Sequence, residues 1–188
     1  MSQAPVIAIA PGDAAEKAGL SVLAQARWPE AGAAEPEPLP GFVYSSFSPL
    51  AAATAARCLA GQYGAAPAPP EEGERVALIL TSVRGDVAIA RAIAQSVDGG
   101  GRISPLLFFQ SVANAVLGHI ASRWGLGGPV LCTSPVGDAA ADAVALAAGV
   151  LADGDADTAL IVLVEPACAP DEQDRAHALL VRADAARR

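Results

Sequence analysis

Residues 75–81 read RVALILT and residues 160–164 read LIVLV. Neither run alternates between apolar and polar side chains. Successive side chains of a strand point to opposite faces, so a strand with one wet face must alternate. A strand apolar on both faces is the kind found in parallel sheets, where helices cover both sides. These two runs therefore point to a layered α/β fold before any other residue is considered.

The chain between them, residues 104–165, is the stretch around which the rest is organised. A Ser-Pro turn leads to a helix expected over residues 111–124. Its Val112, Val116, Ile120 and Trp124 share one stripe by four-residue spacing, with Ala115 and Leu117 beside them. Gly125, Gly127, Gly128 and Pro129 stop it. A short strand over 130–133, a tight turn over 134–138 and an Ala-rich helix over 139–151 follow, and Gly154 ends that helix.

Upstream, residues 6–10 (VIAIA) read as a short strand ended by Pro11-Gly12, and residues 14–23 as a short helix. Residues 31–40 and 65–73 are Pro-rich spacer loops. Between them Ser48 caps, and Pro49 starts, a helix over 50–63, with Gly61 and Gly64 at its end. Arg84-Gly85-Asp86 is a turn whose Asp86 caps a helix over 87–97, and 98–101 is a glycine loop. Residues 178–181 (ALLV) offer a last strand. Apolar strands alternating with helices predict a mostly parallel sheet flanked by helices, in one domain over residues 1–188.

Charge narrows the function. The formal net charge is −8 and the pI is near 4.6. That excludes a nucleic-acid partner, whose phosphates need Lys and Arg, and an anionic membrane surface. Cys58, Cys132 and Cys168 have no CxxC spacing and read as reduced thiols of a cytoplasmic protein. No Gly-rich phosphate loop follows a strand, and no motif implies a cofactor or metal. Asp153, Asp155 and Asp157 lack the offsets of a calcium loop. The hydrophobic share of 53% is high for so small a domain, which suggests a buried partner face or an Ala-rich codon bias.

The organising stretch resembles the N-terminal half of β-ketoacyl synthases. The residues that carry the resemblance are Ser104, Pro105, Phe108, Ser111, Val112, Asn114, Gly118, Gly128 and Pro129. It implies a thiolase-like layered fold, a single half of the ketosynthase fold. In that family a cysteine nucleophile sits on the turn before the second helix. Here that place falls near Gly137, in a turn without cysteine. Cys132 lies five residues earlier and reads as a packed strand cysteine. The family's catalytic histidines belong to its C-terminal half. His119 and His177 read as surface or interface residues.

Ketosynthase-like proteins without the cysteine are chain-length factors. The resemblance therefore implies a non-catalytic subunit, not an enzyme by itself, similar to a truncated chain-length factor of aryl-polyene-type or other polyketide or fatty-acid-like pathways. Its implied partner is a β-ketoacyl synthase, in a heterodimer or higher assembly, with an acyl carrier protein engaged only indirectly. Implied pocket or interface residues are Phe108, Phe109, Ser111, Asn114, Gly118, Val130, Leu131, Cys132 and Thr133. The alternatives are a minimal acyltransferase using Cys132 and a homodimeric scaffold.

Overall fold

The structure is a computed structural model that describes residues 10–32 and 35–184. In chain order its elements are α1 (Pro11–Lys17), β1 (Leu20–Trp28), α2 (Phe47–Tyr63), α3 (Pro70–Gly73), β2 (Val76–Thr81), α4 (Val87–Asp98), α5 (Pro105–Gln110), α6 (Ala115–Trp124), β3 (Val130–Thr133), α7 (Ala139–Ala152), β4 (Thr158–Glu165) and β5 (Arg175–Ala183).

The non-alternating runs behave as their chemistry requires. On β2, Val76, Leu78 and Leu80 enter one core while Ala77 and Ile79 enter the other. On β4, Leu160, Val162 and Val164 join the first, and Ala159, Ile161 and Leu163 the second. Helices α2 and α6 cover the first face, and α1 and α7 the second. Each fully buried Leu, Ile or Val contributes roughly 1.5–3 kcal/mol, so these central strands dominate the stability. Helix α7 approaches its face closely because Ala140, Ala143 and Ala147 point at the sheet.

Among the described residues the sheet has five strands in the order β1-β5-β4-β2-β3. β2 pairs in parallel with both β3 and β4, and β5 pairs antiparallel with β4 and β1. Of these strands β5 alone runs against the rest, so the sheet is mostly but not fully parallel. β3 reaches its place through a close backbone crossing. A Cβ on Gly128 would collide with the Val76 carbonyl group, and the Leu78 amide donates to the Pro129 carbonyl at 2.8 Å.

Several expectations are corrected. The strand expected at residues 6–10 lies, except for Ala10, outside the described residues. The helix expected over 14–23 is instead α1 followed by β1. Gly19, at φ 74°, ends the helix, and Leu20 onward pairs with β5. Ser48 does not cap α2. It sits inside the helix, and the Ser45 hydroxyl accepts its amide at 2.8 Å. Gly61 also lies inside α2, and Gly64 ends it. The helix expected over 111–124 starts later, as α6 at Ala115, and a separate short helix, α5, precedes it. The Ser111 hydroxyl donates back to the Phe108 carbonyl at 2.6 Å, a local bond that competes with helix continuation.

Candidate functional site

The strand-to-helix turn at residues 134–138 is built by β3 and α7. The Asp138 carboxylate accepts the amides of Ala140 at 3.0 Å and Ala141 at 3.2 Å, which caps α7. Gly137 is exposed, with nothing within 4 Å of where a Cβ would stand. A side chain would fit there, and the sequence provides none. Next to the turn, Thr133, Pro135, Asp142, Ala145 and Leu146 line an open cleft of about 440 Å³. Of these, Thr133 was named from the sequence and Pro135 fell in the expected turn. Ala145 and Leu146 gave one signal, a helix apolar nearly all round, as helices covered on every side are.

β3 is the edge of the sheet. Val130 is 49% exposed, and Cys132 is exposed, not packed as expected. Among the described residues only β2 flanks this strand, so its outer edge is unpaired. Leu131 faces the α7 core, and the Thr133 and Thr81 hydroxyls lie 3.1 Å apart.

A nucleophilic thiolate needs a helix N-terminus or a cation to stabilise it; Cys132 lies on β3 and not at a helix N-terminus, whereas Cys168 lies beside the Arg84 guanidinium. Partial burial raises the Cys132 pKa above the ordinary thiol value. Burial pushes Cys58 up to about 12, and its thiol donates to the Ala24 carbonyl. The Cys168 thiol donates to the Pro166 carbonyl. His177 is no base for Cys132. Cys132 pairs with Leu80, Leu80 with Val162 and Val162 with Ala178. His177 therefore points to the opposite face, and β3 and β5 lie roughly 14 Å apart at the usual strand spacing. Desolvation lowers the pKa of both His177 and His119.

Phe108, Phe109, Ser111, Asn114 and Gly118 all lie at the surface rather than in the cleft. Phe108 is 67% exposed and Phe109 50%. Ser111, Asn114 and Gly118 are exposed too. Phe109 stacks at a tilt on Phe42, ring centroids 5.8 Å apart, and Phe42 meets the His119 ring edge-on at 6.5 Å. Val43 and Tyr44 stand beside them, exposed, and sequence reading missed both. The Arg84-Gly85-Asp86 tripeptide is used internally. Arg84 pairs with Glu172, which holds that carboxylate down to about 2, and Asp86 caps α4 through the Ile89 amide.

The layered fold is that of a ketosynthase-like protein, and the sequence agrees. The family "Beta-ketoacyl synthase, N-terminal domain" matches residues 45–180, and the chain belongs to it. No curated protein matches the sequence significantly. Among solved structures, the fold is similar to a ketosynthase, ApeO, in complex with its chain length factor, ApeC, from Xenorhabdus doucetiae. That likeness has a TM-score of 0.63 at 18% identity, over 88% of this chain and 79% of that one. It is similar to the ishigamide ketosynthase/chain length factor, with a TM-score of 0.64 at 17% identity, over 84% of this chain and 50% of that one. It is also similar to a beta-ketoacyl synthase from Burkholderia phymatum STM815, with a TM-score of 0.65 at 17% identity, over 91% of this chain and 54% of that one. The chain thus spans about half the length of the latter two.

Proposed function

We propose that this chain is a non-catalytic, chain-length-factor-like subunit. It binds and stabilises a β-ketoacyl synthase and helps shape that enzyme's acyl tunnel in polyketide, aryl-polyene-type or fatty-acid-like biosynthesis. One observation carries the reading: a family turn that is fully formed, capped by Asp138 and open at Gly137, without a nucleophile. The exposed edge strand β3 supports it, since an unpaired edge is a template for pairing with another chain. The proposed interface runs through Val130, Leu131, Cys132 and Thr133, with the α5–α6 surface beside it. An acyl carrier protein is usually acidic, and this chain carries −8, so carrier docking falls mainly to the ketosynthase.

The test is light scattering after gel filtration, on the chain alone and with the ketosynthase encoded nearest to it. A stable hetero-complex is the expected result. A monomer or a homodimer that ignores the ketosynthase overturns the reading. The exposure of Cys132 favours one competing reading, acyl transfer. In that reaction the Cys132 sulfur would displace the thiol of an acyl thioester and keep the acyl group. Incubation with an acyl thioester is expected to leave the mass unchanged. An added acyl mass that Cys132→Ala abolishes would establish the enzyme instead.

A further inference from the structure

Residues 86–110 leave the fold and return to it at one place. Before them the chain is pinned to the sheet. The Glu165 carboxylate accepts the amides of Val83 and Arg84, and the Arg84 guanidinium holds Glu172. After them α6 enters the first core with Val116, Leu117, Ile120 and Trp124. Between these anchors the chain is sparsely packed. Of the twelve residues of α4 only Ile89 is buried, and of the six of α5 only Leu107 and Gln110. By contrast, α2 buries nine of its seventeen. Neither Ile89 nor Leu107 belongs to either core cluster. A unit with so few buried apolar side chains sits at the low end of local stability.

Both ends of this segment are fastened to neighbouring residues of one loop. The Ser45 hydroxyl donates to the Asp86 carboxylate, and the Tyr44 amide donates to the Gln110 side-chain oxygen at 3.1 Å. Among the described residues, no other hydrogen bond ties 86–110 to a distant part of the chain. Gly85, at φ 65° with open space around it, and the turn at 111–114 flank the segment. The closed arrangement carries a cost. Gln110 is 2% exposed, yet its amide nitrogen has no acceptor among the described residues. A buried unpaired donor costs free energy that water returns on opening. Burial also raises the pKa of the Asp86 carboxyl, so this fastening too is better solvated when released. Phe109 rests on Phe42, which belongs to the first core. Opening therefore uncovers the rim of that core.

We infer that residues 86–110 form a lid that opens as one unit between Gly85 and Ser111, latched shut by Asp86 on Ser45 and by Gln110 on Tyr44. Such a lid is independent of the proposed subunit role.

Native-state hydrogen exchange of the full chain, read by NMR at pH 7, tests it. The amides of α4 and α5 should exchange through one shared opening, about a hundredfold more readily than those of β2 and β4. Two variants address the latch. Asp86→Ser keeps an oxygen to cap α4 but loses the carboxylate that Ser45 bonds. Gln110→Glu keeps the oxygen that Tyr44 bonds and adds a charge that the open state hydrates. Each should raise exchange in α4 and α5 about tenfold and leave β2, β4 and α7 unchanged. Exchange in α4 and α5 as slow as in β2 overturns the inference, as does exchange graded from the helix ends instead of shared. So does Asp86→Ser exchange that matches wild type, or a rise of equal size across the whole molecule in both variants. None of these results bears on ketosynthase binding, which light scattering decides separately.

Discussion

Gly128 holds no chemistry, yet it fixes where β3 lies. Its backbone passes against the Val76 carbonyl, where any side chain would collide. Gly128→Ala should therefore destabilise the fold by about 1–3 kcal/mol, the cost of overpacking. Urea unfolding checks this, and a wild-type midpoint would disprove the crossing. The cysteines can be ranked in the same way. Cys58 is fully buried with its pKa pushed up to about 12, so iodoacetamide should spare it in the native state. Cys132 is exposed, but its raised pKa should make it react more slowly at pH 8 than a free thiol. Mass mapping of the alkylated protein reads both. Rapid, selective labelling of Cys132 would revive it as a nucleophile.

At the scale of elements, Asp138 closes the N-terminus of α7 with both of its bonds to backbone amides. Asp138→Ala should cost about 1 kcal/mol of stability, with Asp138→Ser recovering most of it, as thermal melts of the variants would show. β2, β4 and the Asp86 cap of α4 were legible in the sequence, because each depends on local pattern alone; the Asp138 cap was not named, and its residue was placed only in the turn. β1 was not. Residues 20–28 (LSVLAQARW) mix Ala with helix formers, and what makes them a strand is pairing with β5, far away in the chain. The late start of α6 was hidden because it turns on the Ser111 hydroxyl, which the apolar stripe does not register. For the site, the motif located β3 and the strand-to-helix turn that follows it. The aromatic loop went unread because a Pro-rich, irregular segment has no periodicity to reveal which side chains it presents.

Acid sensitivity belongs to the molecule as a whole. His119 and His177 both have pKa values lowered by desolvation, so the folded state favours their neutral forms. Their stabilising contribution is complete above the unfolded value of about 6.5 and is lost as pH falls through the folded values. Tm should therefore decline on acidification from pH 7 toward 5. His177→Gln should flatten that decline, whatever its effect on Tm at pH 7.5. Calorimetry at several pH values checks it, and an unchanged slope in the variant would count against His177.

The antiparallel insertion of β5 has a practical consequence. It returns the chain to its starting edge: Leu20 lies opposite Ala183, and the Asp184 amide donates to the Gly19 carbonyl at 3.2 Å. β1 and β5 thus finish the side of the sheet farthest from β3, with β1 roughly 19 Å across from it at the usual strand spacing. A fluorophore placed on β1 would report on assembly without touching the edge where assembly is proposed.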